Sequence, residues 1–333
     1  MDFKSLSLRT YVRGIYHLLF RPSNSFAQEE RKIKRLYYSP QSPLKGISNT
    51  TIILMIDGRS VHGGLTDRIR AITTIYQYCK SREITYKLNH SYPFNLTKIL
   101  EPTIDSNWEI TPDKISYNTE EVAIGVINDY QLPLRFHKPY LDFLTRKHRG
   151  KQIHLYTNTY FNDHLFSVTF KEMFTPSSKL QNAIENNIQD IGHNYIAITL
   201  RFQQLLGDFY EKGYKILSPN EQAKLIDKCT DKIKSIHNEI HPDYTILVTS
   251  DSVKFLNHIS SHCSFVRIIK GTVVHMDHTP NAPIDVYMKS YIDLYLLSKA
   301  KQVYLLQTDD MYKSGFPKRA SMLGNIPFNE IKF

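Results

Sequence analysis

The chain of 333 residues has few cysteines, few glycines and no long apolar run. Its three cysteines, Cys79, Cys229 and Cys263, are far apart and form no Cys-x-x-Cys pair or Cys/His cluster. The sequence therefore predicts no zinc site, and its cysteine usage is typical of a reducing compartment. No segment approaches the roughly 20 apolar residues of a membrane-spanning helix. The N-terminus also lacks the apolar core and cleavage site of a signal peptide, so we expect a cytoplasmic protein.

Apolar and aromatic residues, in contrast, are plentiful. Hydrophobic residues make up 41% of the chain, with 22 Tyr and 17 Phe, which is enough for two ordinary cores in a chain about two domains long. We expect a basic N-terminal segment, an N-terminal Rossmann-like domain, a linking helical region and a C-terminal Rossmann-like domain. Their expected bounds are residues 1–36, 48–160, 161–190 and 191–333.

Half of the net charge of +10 lies in residues 1–36. This segment has eight Lys or Arg against three Asp or Glu, a net charge of +5, and apolar residues are interleaved with them. A basic amphipathic helix of this kind either lies on an anionic membrane surface or packs on the protein body with its charges solvated. The sequence leaves both interpretations open. The remaining charge is dispersed and no recognition motif occurs, so we do not expect a nucleic-acid partner.

The first half of the chain contains a strand–loop–helix–strand unit. The apolar run 51–57 predicts a buried strand, helical spacing from Leu65 predicts a helix, and residues 84–88 predict the next strand. Gly63 and Gly64 allow the backbone between strand and helix to approach a ligand closely, although the loop lacks the Lys-Ser/Thr ending of a P-loop. Shorter strands are expected near residues 115–117, 122–127 and 152–156.

The second half alternates strands and helices, which predicts a parallel, Rossmann-like sheet. Ser218 and Glu221 form a capping box with Pro219 at the first helical position. The expected strands are residues 195–200, 244–248, 265–269 and 302–306. The expected helices are residues 218–240, 252–260, 285–300 and 317–323.

Polar residues follow the strands of this second half, at the sheet edge where α/β proteins bind ligands. Arg201 follows the first strand, and its permanent forked cation suits a pyrophosphate. Asp251 has the acceptors to read a guanine edge, or it caps the next helix. Ser314 precedes a helix N-terminus, which favours a phosphate, unless the segment is an ordinary turn. The other candidates at this edge are Ser250, Ser252, His275, Gly315 and Phe316.

Several short motifs then carry a resemblance to a known family. The segments concerned are Gly63–Arg68, Thr199-Leu200-Arg201, Thr249–Ser252, Asp293 with Leu297-Ser298, and Ser314-Gly315-Phe316. In order and approximate spacing, these segments are similar to motifs of the fucosyltransferase superfamily of GT-B glycosyltransferases. The family motifs are, in the same order, a Gly-Gly-Leu-Gly-Asn/Asp-Arg loop, His-x-Arg, Ser-Asp, and a terminal pattern of Asp, Leu-Ser and Ser-x-Phe. The resemblance spans residues 51–328. Two departures are Thr199 in place of the histidine, and a Gly-Asp pair displaced to Gly207-Asp208.

The resemblance implies a GT-B fold, with two Rossmann-like domains facing a central cleft. It also implies inverting transfer of fucose from GDP-fucose to a hydroxyl of a glycan or lipid-linked saccharide. Arg201 would bind the pyrophosphate and neutralise the departing GDP, Asp251 would read guanine, and Ser314 and Phe316 would contact phosphate and nucleotide. On the acceptor side, the resemblance implies a cleft lined by Gly63, Gly64 and Arg68, near which His62 also lies.

No Asp-x-Asp metal motif is convincing, so we expect no metal and no cofactor, with the leaving diphosphate stabilised by Arg201 and a helix N-terminus. Among Asp57, His62 and Asp67, Asp67 is our candidate general base. Two alternatives remain: a GT-B transferase that uses another GDP-sugar, and a catalytically silent relative that binds nucleotide or glycan, which Thr199 favours. The expected setting is bacterial surface-polysaccharide synthesis in the cytoplasm, with residues 1–36 as a contact to the inner membrane face.

Overall fold

The computed structural model describes residues 25–128, 134–161, 163–209, 215–240, 242–277, 279–308 and 310–333. The chain divides into two compact units, of which the first ends at Thr175 and the second begins at Pro176. The short segment Thr97–Glu101 groups with the second unit. The region 161–190, which we expected to link two domains, is therefore divided between the units. The hydroxyl of Tyr76 donates to Glu172 at 2.7 Å, a contact that attaches the earlier part of this region to the first unit.

The first unit is an α/β unit built on a parallel sheet. Its strands are β1 (Thr51–Ile56), β2 (Thr85–His90), β4 (Val122–Ile127) and β5 (Gln152–Thr157), whereas the short strands β3 (Leu100–Pro102) and β6 (Phe174–Pro176) each contain residues of both units. Its helices are α1 (Ser25–Tyr37), α2 (Leu65–Lys80), α3 (His137–Lys147) and α4 (Phe166–Met173). The main sheet has the order β2-β1-β5-β4 with every pairing parallel, and β3 and β6 form a separate two-stranded sheet. Strands β4 and β5 are buried along their whole length, which explains their continuous apolar character.

The second unit is a five-stranded parallel sheet with helices. Its strands are β7 (Tyr195–Leu200), β8 (Thr245–Ser250), β9 (Val266–Ile268), β10 (Val303–Gln307) and β11 (Phe328–Lys332). Its helices are α5 (Ser178–Ile191), α6 (Pro219–Ile240), α7 (Val253–His262), α8 (Ile284–Lys299) and α9 (Phe316–Gly324). The strand order is β11-β10-β7-β8-β9. The predicted alternation of strands and helices in this half is confirmed.

Several individual elements differ from the expectations, and residues 115–117 and β11 are two examples. Residues 115–117 form no strand, because the backbone N–H of Ser116 donates to the side chain of Gln152 at 2.9 Å instead of joining a ladder. Strand β11 was not expected, because only Phe328 and Ile331 interrupt its exposed polar residues. Such a pattern is compatible with an edge strand but does not by itself indicate one. The capping box of α6 is confirmed, with Ser218 N donating to the Glu221 carboxylate at 2.8 Å.

The order of the second sheet defines where a ligand crevice forms. Strands β7 and β10 are neighbours in the sheet. After β7 the chain continues to β8 and β9 on one side, and after β10 it continues to β11 on the other side, so the direction in which strands are added reverses between β7 and β10. In open α/β sheets this reversal leaves a crevice beyond the carboxyl ends of the two strands. Leu305 is level with Thr199 in the ladder, so Gln307 and Arg201, two residues further along, leave the sheet side by side.

Candidate functional site

Arg201 is the first residue beyond β7 and lies at this crevice. Its side chain is 21% exposed, and its Nε lies 3.6 Å from Oδ2 of Asp251. Its guanidinium carbon lies 5.0 Å from the centroid of the Phe209 ring. The cation is thus held between a carboxylate and an aromatic face, an arrangement that restricts the side chain and keeps its charge at the crevice.

Asp251 supports the turn that carries Arg201. Its two carboxylate oxygens accept hydrogen bonds of 2.8 Å from the backbone N–H groups of Phe202 and Gln203. Burial raises the pKa of the Asp251 carboxyl, and the nearby Arg201 cation and the two N–H donors act against that rise. Its side chain is only 1% exposed. A carboxylate that is buried and engaged in this way does not present an edge to a base, so the geometry does not support the guanine-reading role expected for Asp251.

Ser250 and Ser252 are also engaged within the protein. Ser252 Oγ accepts from Phe255 N at 3.1 Å and donates to Asp208 Oδ2 at 2.9 Å, so it caps α7 and fixes the preceding loop. Ser250 Oγ accepts from Ser252 N at 3.1 Å. The helix cap that we considered for Asp251 therefore belongs to Ser252. Neither serine is presented to a donor nucleotide in this structure, because both are buried.

The displaced Gly-Asp pair has a structural role at the same place. Asp208 Oδ2 accepts from the backbone N–H of Lys254 at 2.7 Å, at the first turn of α7. A carboxylate at a helix N-terminus satisfies an unpaired N–H and interacts favourably with the helix dipole. Asp208 therefore joins the loop that follows β7 to the helix that follows β8.

The segment Ser314-Gly315-Phe316 follows β10 and begins α9. Gly315 is the N-cap of this helix and provides no side chain, and Ser314 Oγ accepts from Phe316 N at 3.3 Å. The partial positive charge of a helix N-terminus attracts anions. Because α9 begins in the connection after β10, the strand next to β7, its N-terminus follows the same edge of the sheet as Arg201.

Three buried polar atoms at the strand ends have no hydrogen-bond partner among the described residues. They are Nε2 of Gln203, Oε1 of Gln307 and Oγ1 of Thr308. Gln203 also has a φ of 52°, a left-handed conformation that non-glycine residues rarely adopt. Buried polar groups are normally paired, so these atoms are candidates for contact with a polar ligand. Neither Gln203 nor Gln307 was expected from the sequence, in which the only signal is a polar residue within three positions of the end of an apolar run.

His275 lies in the loop after β9, the edge strand of the sheet, and is half-buried. Strand β9 is separated from β7 by β8. Among the described residues, no group of three or more His, Cys, Asp or Glu side chains is arranged to hold a metal ion.

In the first unit, the Gly63–Arg68 element is a braced loop at the start of α2. Arg68 is only 1% exposed, and its Nε and Nη1 donate to the carbonyls of Gly63 at 3.0 Å and Tyr92 at 2.6 Å. Gly63 has a φ of +77°, and a Cβ atom there would lie 2.7 Å from Oδ2 of Asp67. Gly64 is the N-cap of α2. Arg68 therefore holds the loop in shape, whereas we expected it to line a ligand surface.

The three candidate bases differ in their environments. His62 is buried, accepts from Gly58 N at 3.0 Å, and has its pKa lowered to about 3 by burial and then by Arg68. The side chain of Asp57 is 5% exposed, and its carboxylate accepts from Arg59 N at 3.1 Å. Asp67 is the most exposed of the three at 39%, with Oδ1 3.1 Å from Nη2 of Arg70.

Helix α1 packs on the first unit. Ile33 is 1% exposed, the hydroxyl of Ser60 donates to the carboxylate of Glu29, and the Arg59 cation lies 4.4 Å from the centre of the Tyr37 ring. Of the two interpretations of the basic segment, α1 therefore agrees with a helix packed on the protein body. Residues 1–24 lie outside the described residues, so membrane contact through them stays a prediction. No described helix is both long enough and apolar enough to cross a bilayer.

Comparisons with known proteins identify the fold. No protein-family model matches the chain, and no curated protein has a significantly similar sequence. A mutant of FUT1 from Arabidopsis thaliana in complex with GDP superposes with a TM-score of 0.52 at 14% identity, covering 96% of this chain and 77% of that chain. NodZ α-1,6-fucosyltransferase co-crystallized with GDP gives 0.51 at 13% identity, and the NodZ fucosyltransferase from Bradyrhizobium gives 0.53 at 12% identity. Each NodZ comparison covers 83% of this chain and 92% of that chain. The resemblance is confirmed at the level of the fold: the chain has the GT-B fold of the fucosyltransferases.

Proposed function

We propose that this protein is an inverting, metal-independent glycosyltransferase that moves fucose from GDP-fucose to a hydroxyl of a glycan or lipid-linked saccharide. The observation that carries the proposal is the crevice beyond β7 and β10, where Arg201 and the N-terminus of α9 follow neighbouring strands. The fold adds support, because solved structures that share it include fucosyltransferases in complex with GDP.

The chemistry of the leaving group suits these residues. As the bond between sugar and phosphate breaks, the sugar becomes oxocarbenium-like and negative charge accumulates on the departing diphosphate. The Arg201 cation is already oriented by Asp251 and Phe209, and the N-terminus of α9 adds backbone dipoles. Donors that are oriented before the reaction stabilise such charge without reorganisation and without a metal ion.

The buried unpaired atoms give the nucleotide further partners. Nε2 of Gln203 is a donor suited to a phosphate or carbonyl oxygen, whereas Oε1 of Gln307 accepts from an N–H or O–H group. In this proposal the residues that contact the donor are Arg201, Gln203, Gln307, Thr308 and Ser314–Phe316. Asp251 acts as a positioning residue for Arg201.

Thr199 occupies the position of the family histidine. Its hydroxyl lies 2.8 Å from that of Thr249 on the neighbouring strand, and both side chains are buried. We therefore assign Thr199 to the interior of the sheet and leave stabilisation of the diphosphate to Arg201. The silent-relative alternative, which Thr199 favours, requires a measurement of turnover.

On the acceptor side, we propose that the Gly63–Arg68 element contributes to recognition and that Asp67 is the general base. An inverting transfer needs the acceptor hydroxyl to lose a proton as it attacks. Asp67 is the exposed carboxylate of this element, while Arg68 is used to brace the loop. Bacterial surface-polysaccharide synthesis in the cytoplasm, with residues 1–24 near the inner membrane face, remains the proposed setting.

Calorimetric titration in EDTA tests the donor site. The ligands are GDP, GDP-fucose, GDP-mannose and UDP-glucose, and the proteins are wild type, Arg201→Ala and Arg267→Ala. Arg267 is the matched control, because it is an exposed arginine of the same unit whose Nη1 bonds to its own segment at Ser264 O. We expect guanine nucleotides to bind without metal and Arg201→Ala to weaken them by roughly 10- to 100-fold, the effect of losing charge-assisted hydrogen bonds. No binding by folded wild-type protein would exclude the donor site.

Turnover separates the enzyme from its alternatives. We expect release of GDP from GDP-fucose, slow with water and faster with an acceptor glycan. Preferred consumption of GDP-mannose would instead identify a transferase with another donor. Nucleotide binding with no release of GDP, even by hydrolysis, would identify the catalytically silent binder.

A further inference from the structure

A cavity of about 370 Å³ lies in the first unit, at the amino end of its sheet. Thr50, which directly precedes β1, and Ile84, which directly precedes β2, line it. The Gly63–Arg68 loop follows the carboxyl end of β1, so the cavity is at the opposite sheet edge from that loop. None of the residues assigned to the proposed transferase function lines this cavity.

The lining of this cavity is strongly basic. Arg82, Arg146 and Arg149 line it together with a single carboxylate, Asp142, so the charged groups sum to +2. Asp142 is already paired: its Oδ1 lies 2.9 Å from Nη2 of Arg82 and accepts from the hydroxyl of Tyr78, also at 2.9 Å. The excess positive charge therefore resides on Arg146 and Arg149.

These two arginines have N–H groups that are not used within the described residues of the first unit. Nε of Arg146 donates to the carbonyl of Asp142 at 3.1 Å, one turn earlier in α3. Within the described residues, the terminal nitrogens of Arg146 and all the nitrogens of Arg149 have no hydrogen bond or ion pair. Basic residues commonly complement the negative end of a helix, and this accounts for Nε of Arg146. It does not account for Arg149, which lies beyond the end of α3.

A hydroxyl adds a donor from another part of the chain. Oγ1 of Thr50 accepts from the backbone N–H of Gly150 at 2.9 Å, which leaves its own proton to donate. Donors therefore reach the cavity from the residue before β1, from the turn before β2, from the end of α3 and from the turn before β5. A tetrahedral phosphate accepts several such donors at once, and guanidinium groups pair well with it.

We propose that this cavity binds the phosphate group of a small phosphorylated ligand or of a lipid headgroup. Its volume is at the lower end of the range for small-molecule sites, which fits a phosphate with a small substituent. The inference does not depend on the proposed function, because every lining residue belongs to the first unit and the proposed donor site is in the second.

The test titrates sodium phosphate and glycerol phosphate into full-length Arg201→Ala protein, in which the proposed donor site is weakened. We expect binding that the double substitution Arg146→Ala with Arg149→Ala weakens at least about tenfold, as the loss of charge-assisted hydrogen bonds requires. Lys147→Ala is the matched control: Lys147 is exposed, as Arg146 and Arg149 are, and it belongs to the same helix as Arg146, but it lies over the Phe143 ring and does not line the cavity. We expect it to leave binding unchanged.

The source of the phosphate is separated by vesicle sedimentation. Binding to phosphatidic acid vesicles but not to phosphatidylcholine, weakened in the double variant and unchanged in Lys147→Ala, assigns a lipid headgroup. Phosphate binding combined with vesicle binding that the double variant leaves unchanged assigns a soluble ligand. If the double variant does not fold, Arg149→Gln replaces it, with the same weakening expected in direction. The proposal is overturned if the parent protein binds no phosphate at millimolar concentration, or if Lys147→Ala weakens binding as much as the cavity variants.

Discussion

Oδ2 of Asp251 lies 3.6 Å from Nε of Arg201, and the same carboxylate accepts hydrogen bonds from the two backbone amides that follow this arginine. The buried carboxylate of Asp251, in the connection after β8, thus determines both the backbone turn after β7 and the position of the Arg201 side chain. A substitution of Asp251 can therefore distinguish two roles for this residue: positioning Arg201, and direct recognition of the guanine base.

We expect Asp251→Asn to weaken GDP and inosine diphosphate equally, by about tenfold or more, because Arg201 loses its charge partner and its turn loses an acceptor. Inosine lacks the exocyclic amino group of guanine, so a residue that reads guanine would change the ratio of the two affinities. Calorimetric titration of both nucleotides measures that ratio. A loss confined to GDP would return Asp251 to the guanine-reading role.

The same substitution is expected to lower the free energy of unfolding by about 2–4 kcal/mol, because it disturbs a buried network around a charged group. Urea unfolding measures this loss. Asp310→Asn is the matched control, since its carboxylate is exposed and its Oδ1 lies 3.4 Å from Nζ of the exposed Lys215. An exposed pair of this kind contributes little, so we expect no measurable change there.

Three buried histidines of the first unit predict loss of stability in acid. The pKa values of His62, His90 and His154 are each lowered to about 3 by burial in the first place. In the unfolded chain a histidine titrates near pH 6.5, so the unfolded state binds more protons between pH 6.5 and 3. Each histidine thus contributes stability that is complete above pH 6.5 and decreases by about 1.4 kcal/mol for each pH unit below it.

His154→Gln isolates one of these contributions. His154 accepts or donates at 2.7 Å with the hydroxyl of Tyr38 and is fully buried, and glutamine keeps a polar group without titrating. Between pH 6 and pH 4 we expect the free energy of unfolding of the variant to fall less steeply, by about 1.4 kcal/mol per pH unit. Urea unfolding at several pH values measures the slope. Parallel curves for the two proteins would show that His154 does not titrate between the two states.

Gly63→Ala is expected to destabilise the first unit by about 1–3 kcal/mol, because a positive φ is combined with a steric clash. The added Cβ would lie 2.7 Å from Oδ2 and 2.9 Å from Cβ of Asp67. Gly46→Ala is the control, since Gly46 has a similar φ of +69° but, among the described residues other than its chain neighbours, no atom lies within 4 Å of the added Cβ. Thermal unfolding compares the two variants. Equal losses would mean that backbone conformation alone, and not contact with Asp67, makes glycine necessary at position 63.

Two truncations separate the membrane role of the N-terminal segment from its packing role. Removing residues 1–24 is expected to weaken binding to anionic phosphatidylglycerol vesicles while leaving the unfolding midpoint and GDP binding unchanged. Removing residues 1–36 also deletes most of α1, including the buried Ile33, so we expect the midpoint to fall as well. Burial of one such side chain stabilises by about 1.5–3 kcal/mol. Vesicle binding that survives the shorter deletion would remove the membrane role from residues 1–24.

Much of the fold could be predicted because its strands are local patterns. The apolar runs of β1 and β7 are contiguous in sequence, and both are buried in the sheets as expected. The helix that begins at Pro219 carries its start signal in its own first turn. Strand β11 and helix α3 were missed, because the former is half-exposed at an edge and the latter is largely polar.

The sequence by itself determined which segments become buried strands, where the amphipathic helices begin, and that polar residues follow each strand of the second half. These are properties of neighbouring residues, through hydrophobic periodicity and capping. Only the tertiary structure decided that Asp251 bonds to amides 48 and 49 positions away, that Arg68 is buried, and that Gln203 and Gln307 have unpaired atoms at the strand ends. Burial and pairing of a polar group depend on which distant segments pack around it, and a local pattern carries no record of those contacts.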